Sequence, residues 1–544
     1  MLRRPLRRAA VLARLSWLAA FALALAACEG GRRGPPPERF VAAGARAALI
    51  VPETGRAASA LAALHASVSG YPGAGDLAGA RGALAAQLGF DPLDPAALAD
   101  AGVDPRRGSA FALVDPPAGR DAAPAALVVL PAKDGPKLER LLTRLAGDRL
   151  GATERTPERH GEVSAVVFRR PGGGPAALSY VLAERTAVVS THPAGPALVA
   201  AAASLAAAAS LAEHPGWKVA RAALGEEVAA VAFAPAGSPV LDGLWAFKDG
   251  VALGLAASPN RLSARVAMLL GAREPSFQAL SADGHGAALV ARLDPEAPLA
   301  ARWDGDFAAL GKKLVPIVGA RDRARLERRG IDLQRDLFSV LAPGGAVALS
   351  VPTRLSLGEL TSEAARSDPL RALEFEAVLP LKPGPAAAEA GERLAKAAAP
   401  PRRPRGGDDG VVRIRTPSGE IAWRLDLAAG RLVAVGGRPG RLEALLARLD
   451  GDAPGWKPAT PAAKAALEGG LGGVALDAPR LVAAVRALPD EAFGGGPSGF
   501  VMRSLVERAI EPAARLAALS LRAELVPGAL RLDLEVEAAP EEDR

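Results

Sequence analysis

Apolar and polar side chains alternate most regularly close to the C-terminal end of the sequence. Residues Leu519–Leu525 and Leu530–Val536 each carry an apolar side chain at every second position, which is the period of a β-strand with one face toward solvent. The stretch Val526–Ala529 between them contains the Pro-Gly pair of a turn. The pattern predicts a β-hairpin here, and a weaker alternation predicts another over Val251–Leu269.

A strand followed directly by a helix is predicted at two places far apart in the chain. Residues Ala125–Ala146 run from an apolar stretch through Leu-Pro into a helical pattern that starts at Pro136. Proline suits the first turn of a helix, where its missing N–H is not needed. The same arrangement returns over Leu373–Ala395, where five of these residues recur 249 positions further on.

Four further matches occur in the same order, shifted by 239 to 246 residues. They pair the stretch around Ala47 with the one around Ala287, and the stretches that start at Gly89 with Gly330, Arg185 with Arg431, and Glu213 with Asp452. The order and near-constant shift predict a tandem repeat, with units at 41–275 and 276–538 and an acidic tail at 539–544. Each unit is expected to be α+β, a mostly antiparallel sheet with helices packed on one face. The first strands are predicted at Ala47–Val51 and Ala287–Leu293.

The N-terminus has the pattern of an export signal. Five arginines lie in the first 14 residues, and Leu15–Ala27 then carries no charge. This uncharged stretch is shorter than the ~20 residues of a membrane-spanning helix. Residues 1–27 are therefore predicted to be a signal peptide, and 28–40, rich in proline and glycine, a tether.

The residues at the end of this segment, Leu25-Ala26-Ala27-Cys28, include the sole cysteine of the chain. They resemble the lipobox of bacterial lipoproteins. That resemblance implies cleavage between Ala27 and Cys28, attachment of lipid to the Cys28 sulfur, and a membrane partner reached through the lipid. Because Glu29 rather than aspartate follows the cysteine, it also implies a place in the bacterial envelope at the outer membrane, facing the periplasm. With Cys28 used, no thiol remains for a disulfide or for metal binding.

Charge and composition remove several classes of function. The formal net charge is +7, but the predicted signal peptide contributes five of the basic residues and none of the acidic ones, so the remaining chain is nearly neutral. Nucleic-acid binding therefore lacks the basic excess that it requires. Aromatic residues make up only 4% of the chain, which disfavours a sugar-binding surface of stacked rings.

The motifs of common catalytic sites are absent from the sequence. It has no GxSxG, no GxxxxGK[ST] and no HExxH, so no catalytic residue, metal site or cofactor is predicted. The repeated Pro-Gly-Trp-Lys offers candidate ligand-binding residues in Trp217, Lys218, Trp456 and Lys457. The favoured interpretation is structural: Pro-Gly forms a turn and the tryptophan indole packs on the core, because the motif occurs in both repeats.

Beyond its N-terminus the chain resembles uncharacterised, duplicated, secreted bacterial proteins with Leu-Pro-x-Lys turns after strands, a resemblance that implies no activity. The leading hypothesis is a non-enzymatic, lipid-anchored envelope protein that acts as a binding or structural module, with a possible envelope protein as partner. The alternative is a carrier of lipid or another apolar ligand. A hydrolase with dispersed catalytic residues comes third, and the oligomeric state stays open.

Overall fold

The computed structural model describes residues 34–68, 74–117, 123–258, 260–316, 319–352, 374–398, 411–416, 419–451, 453–494 and 496–539. These divide into two compact units. Unit 1 comprises the residues up to Gly271 together with Val526–Arg531, and unit 2 comprises Ala272–Leu525 and the residues from Leu532 onward. No helix among the described residues is long and apolar enough to cross a bilayer.

The strands are β1 (Ala47–Val51), β2 (Ser109–Val114), β3 (Ala125–Pro131), β4 (Glu154–His160), β5 (Val163–Arg169), β6 (Leu178–Ala183), β7 (Thr186–Ser190), β8 (Ala230–Pro235), β9 (Gly250–Ser258), β10 (Arg261–Leu269), β11 (Leu299–Trp303), β12 (Gly345–Ser350), β13 (Glu374–Pro380), β14 (Val411–Thr416), β15 (Gly419–Asp426), β16 (Arg431–Gly437), β17 (Gly472–Asp477), β18 (Leu516–Val526) and β19 (Ala529–Ala538). The helices are α1 (Thr54–Val68), α2 (Ala74–Leu88), α3 (Pro95–Asp100), α4 (Gly135–Leu150), α5 (Gly195–Ala203), α6 (Pro215–Leu224), α7 (Glu274–Gln278), α8 (Gly286–Val290), α9 (Phe307–Leu314), α10 (Ala320–Glu327), α11 (Pro385–Ala398), α12 (Arg441–Leu449), α13 (Pro461–Glu468), α14 (Ala478–Arg486) and α15 (Gly496–Ile510).

Each unit is built on an antiparallel sheet, which confirms the predicted α+β class. In unit 1 the strands lie in the order β4-β5-β6-β7-β3-β2-β1-β8-β9-β10. In unit 2 the order is β14-β15-β16-β13-β12-β11-β17-β18. From β5 to β9, the order in unit 1 matches the order in unit 2 strand for strand.

The expectation that helices pack on one face of the sheet was wrong. Alternate residues of β3 enter two different apolar cores: Ala125, Leu127 and Val129 join α5 and α6 on one face, and the residues between them join α4 on the other. In unit 2, α12 and α13 likewise cover one face while α9 and α11 cover the opposite face. The reason is the uninterrupted apolar sequence of β3, which leaves no face suited to water.

The predicted first strand of unit 2 at Ala287–Leu293 was also wrong. This stretch begins with the short helix α8, and β11 is the strand that occupies the place of β1. Alanine and leucine favour a helix, and the Asp304 carboxylate accepts a hydrogen bond from the N–H of Gly286 at the start of α8, at 2.6 Å. The side chain thus satisfies one of the N–H groups that a helix start leaves unpaired.

Candidate functional site

The predicted cleavage and lipid-attachment residues, Ala27 and Cys28, lie outside the described residues, which begin at Gly34. The last residues of the predicted tether form a 3-10 helix, Pro37–Phe40, in which Pro37 and Phe40 are buried. Phe40 belongs to the core of unit 1. The folded body therefore begins within a few residues of Gly34.

Trp217, the first of the tryptophan candidates, is a core residue of unit 1. Pro215 opens α6, and the Nδ1 of His214 accepts a hydrogen bond from the N–H of Trp217 at 3.3 Å. The indole is 3% exposed and meets the ring of Phe233 edge-on, with the ring centres 5.5 Å apart. Its position is that of a packing residue.

Trp456 is buried in unit 2 in a different local structure. Its Pro-Gly-Trp-Lys segment lies in irregular chain ahead of α13, whereas the matching segment of unit 1 starts a helix. The indole is 2% exposed, and its Nε1 donates a hydrogen bond to the carbonyl of Ala297 at 2.8 Å. Both tryptophans therefore lie inside their cores.

The two candidate lysines lie on the surface. Lys218 Nζ pairs with the Glu213 carboxylate at 2.5 Å, with both side chains more than half exposed. Lys457 is exposed as well. The structure thus separates each tryptophan from solvent while its neighbouring lysine reaches outward, so the four residues do not form a common ligand surface.

A cavity of about 180 Å³ lies in unit 1, lined by residues that include Arg46, Asp115, His214 and Ser238. Arg46 Nε pairs with Asp115 at 2.5 Å, and the Ser238 hydroxyl donates to the backbone carbonyl of Arg46. Burial lowers the pKa of His214, which favours a neutral imidazole. The cavity is smaller than the ~300 Å³ or more of typical ligand pockets.

These contacts do not assemble a hydrolytic site in the cavity. A serine nucleophile needs its hydroxyl hydrogen-bonded to a base, but the hydroxyl of Ser238 is directed at a carbonyl and the Nδ1 of His214 accepts a backbone N–H. The polar lining is likewise unsuited to an apolar ligand. This cavity therefore favours neither the hydrolase nor the lipid carrier.

The exposed side of α15 is the most unusual surface described. Phe500, Val501, Met502 and Leu505 are 74%, 57%, 43% and 54% exposed. We call these four side chains the α15 face. At 100° per residue, the last three lie within about 100° of one another on the helix, and Phe500 lies a further 100° from Val501, so that the four span about 200°. Large apolar side chains grouped in this way mark interaction sites.

The opposite side of α15 is held to the protein by a small cluster. Val506 packs beside Leu488 and Phe493, residues of a minor apolar core. The Arg503 guanidinium lies 5.6 Å from the centre of the Phe493 ring and pairs with the carboxylates of Asp490 and Glu507. These contacts hold the helix against the protein through Val506 and Arg503, and the α15 face is left directed toward solvent.

The sequence contained a signal of this surface. From Phe500 to Ile510 apolar residues occur on nearly every side of the helix, more than one contact face can bury. The helix begins at Gly496, which places Phe500 on it.

An α+β protein with antiparallel sheets and one exposed apolar helix face is the class that these observations define. No protein-family model and no curated protein matches the chain. Among solved structures, crystal forms I, III and IV of TP0453 are similar at a TM-score of 0.23 and 10% identity. The matches cover 46–48% of this chain and 88–96% of the TP0453 chains. A TM-score this low carries no conclusion about fold or function.

Proposed function

We propose that the protein is a non-enzymatic module of the bacterial envelope, held by lipid on Cys28, that binds another envelope protein through the α15 face. The observation that carries this proposal is the exposure of four large apolar side chains on a helix that packs against the protein through Val506 and Arg503. Exposure of apolar side chains to water is unfavourable, so a protein partner that buries them is stabilised in the complex by the hydrophobic effect.

The composition of the α15 face favours a protein partner. Phe and Met are enriched in the centres of protein interfaces, and the face holds Phe500 and Met502. A helix that lies in a membrane surface usually has a polar side rich in Lys and Arg. α15 has two basic residues: Arg503 is paired with Asp490 and Glu507, and Arg508 is exposed. Two arginines do not make a polar side rich in Lys and Arg.

The size of the face points to a transient or small contact. Four partly exposed side chains give an apolar patch on the order of the 300–600 Å² found on ordinary monomers. A stable interface buries about 800 Å² on each partner. Tethering by a lipid raises the effective concentration of partners in the same membrane, which makes a modest contact sufficient.

The location rests on the lipobox resemblance of Leu25–Cys28, which favours the outer membrane with the body facing the periplasm. We also infer that the two units arose by duplication of one ancestral unit. The inference is supported by the strand-for-strand match in sheet order. It is also supported by the corresponding positions of β3 and β13 in that order, since each of these strands ends in Leu-Pro before a helix.

The α15 face is tested by placing a photoreactive phenylalanine analogue at Leu505 in cells that export and lipidate the protein. Leu427 is the matched control position, because it is a leucine of the same unit with 51% exposure outside the face. We expect a discrete protein adduct from position 505 and none from 427. The partner, identified by mass spectrometry, should form the reciprocal crosslink to α15 from an analogue placed on its own surface.

Three results would contradict the proposal. Adducts of equal yield from both positions would show that exposure alone accounts for capture. Adducts to lipid would assign the face to the membrane surface. In Val501→Glu, which alters the α15 face but leaves position 505 unmutated, we expect the adduct to be lost. An adduct that persists in this variant would contradict a specific contact.

A further inference from the structure

The core of unit 2 contains charged side chains where a core is normally apolar. Glu374 and Glu376 on β13 are 0% and 2% exposed, and Arg448 on α12 is 8% exposed. Arg441, at the start of α12, has a side chain that is 12% exposed. We call these four residues the buried ionic cluster.

The pair at the centre of the cluster is Glu376 and Arg448. One terminal nitrogen of Arg448 lies 2.7 Å from both carboxylate oxygens, and its Nε donates to the carbonyl of Arg292 at 3.0 Å. The backbone N–H of Asp294 donates to the same carboxylate at 2.8 Å. Burial raises the pKa of Glu376, while Arg448 and Arg441 oppose that rise.

The second pair in the cluster joins Arg441 to Glu374. One terminal nitrogen of Arg441 donates to Glu374 at 3.0 Å. The other donates to Asp294 at 3.0 Å and to the hydroxyl of Ser350 at 3.2 Å. The carboxylates and the terminal guanidinium nitrogens of the cluster are thus paired with one another and with Asp294 and Ser350, whereas the buried Nε of Arg441 has no hydrogen-bond partner.

The matching positions in unit 1 are apolar. Ala125 and Val114 are paired across β3 and β2 as Glu374 and Ser350 are across β13 and β12, and Leu127 takes the place of Glu376. On the helix, α5 begins at Gly195 as α12 begins at Arg441. Ala202 of α5 therefore matches Arg448. The strand residues Ala125 and Leu127 and the helix residue Ala202 are all buried in the apolar core of unit 1.

This difference makes a wrong helix–strand pairing costly. If α12 packed on β3, two arginines would face Ala125 and Leu127 without a carboxylate. If α5 packed on β13, Glu376 would be buried without a cation, and Glu374 would keep only Arg438, a largely exposed residue ahead of α12 whose Nε lies 3.7 Å from its carboxylate. An uncompensated buried charge is strongly destabilising, although replacing a whole buried pair with apolar residues is often neutral.

We infer that the buried ionic cluster determines which helix packs on which strand. It favours packing of α12 on β13 and disfavours packing of α12 on the matching surface of unit 1 during folding. Chains with similar units are prone to misassembly and domain swapping. Polar or charged residues that make contacts with a wrong partner unfavourable prevent such errors. The inference is independent of the proposed anchor and of the α15 face, since it depends only on the matched cores.

The test uses the mature chain with Cys28→Ser, refolded by dilution from denaturant. A neutral variant, E374A/E376L/R441G/R448A, gives unit 2 the residues of unit 1. Light scattering after size exclusion measures the fraction recovered as native monomer and as exchanged dimer. We expect the neutral variant to lower the monomer fraction at least threefold, with dimers that separate only on unfolding.

The matched control is R413A/E443A, which removes a pair between a strand and α12 whose side chains are 40% and 59% exposed. It should refold like the parent chain. A further variant moves the central pair to unit 1, combining E376L/R448A with L127E/A202R. Because unit 1 then carries a charged pair at positions that are apolar in unit 2, while unit 2 keeps Glu374 and Arg441, the variant should recover the monomer fraction above that of E376L/R448A alone.

The possible results separate pairing from stability. Recovery of the neutral variant as native monomer at the parent yield would overturn the inference. Failure of the neutral variant to form any folded species would assign the cluster to stability and would also overturn it. The inference would also be overturned if moving the pair to unit 1 left the monomer fraction unchanged. The inference predicts that this fraction depends on which unit carries the charged residues.

Discussion

Arg448→Ala should destabilise unit 2 far more than its loss of packing alone would do. The change removes the nitrogen that lies 2.7 Å from both oxygens of Glu376 and leaves that carboxylate 2% exposed. Removing one partner of a buried ion pair costs about 3–5 kcal/mol. We expect a loss of this size in the free energy of unfolding of unit 2 at pH 7.5.

The pH dependence of the loss follows from the sign of the Glu376 shift. Burial already raises the pKa of Glu376 above its ordinary 4.5, and removing Arg448 raises the pKa further. A carboxyl with a raised pKa in the folded state destabilises that state as pH rises above 4.5. Because Glu376 of the parent chain also has a raised pKa, the deficit of R448A relative to the parent should be smallest below the parent pKa. Above that pKa it should widen by up to about 1.4 kcal/mol per pH unit, and it should level off once pH passes the higher pKa of the variant.

The assay must report on unit 2 separately, because a chain of two units need not unfold in one step. Hydrogen exchange followed by mass spectrometry resolves peptides from β13, and peptides from β3 in unit 1 provide the internal reference. The double variant E376L/R448A is the control, since it removes the charge together with its partner. We expect it to recover most of the lost protection.

Two outcomes would refute this reasoning. Equal loss in R448A and E376L/R448A would mean that packing, and not an unpaired carboxylate, determines the cost. A deficit that does not change between pH 5 and pH 8 would mean that Glu376 does not titrate in the variant.

Three further predictions concern Trp456, Asp336 and Leu505. Trp456→Phe should cost about 1–3 kcal/mol in urea denaturation of unit 2, because the buried carbonyl of Ala297 loses its donor. Hydrogen bonds from Arg335, the backbone of Asp332 and Arg393 hold the pKa of Asp336 well below 3.8, so its contribution is present above that pH and lost as pH falls further. Asp336→Asn should therefore destabilise the protein at pH 7, by thermal unfolding, and lose that effect toward pH 2. Leu505→Glu should change the stability by no more than about 0.5 kcal/mol, since the side chain is 54% exposed, while abolishing the crosslink from a neighbouring position of the α15 face.

The sequence predicted those elements whose pattern is local. The strands of the last hairpin and the strand–helix pairs at β3–α4 and β13–α11 lie close to their predicted bounds, because alternation and a proline at a helix start act over a few residues. Short strands such as β8 and β17, by contrast, were not predicted. Their Ala- and Gly-rich sequences carry little β preference, and they depend on pairing with β1 and β11, which are distant in sequence.

The features that carry the proposals were harder to predict, because they depend on which face is covered. Glu374 and Glu376 alternate with apolar residues, a pattern that is typical of a strand with one wet face. Only the structure shows arginines of α12 covering that face. The reverse holds at the α15 face, where apolar residues that the sequence would place in a core are left exposed.

The proposed function depends on lipid at Cys28 that holds the two units at the bacterial envelope, where the α15 face can bind a partner. Mass spectrometry of the N-terminal peptide from membrane-extracted protein tests it most directly. We expect a mature chain that starts at Cys28 and carries acyl chains on that residue. An intact leader, or an unmodified Cys28 thiol, would contradict it.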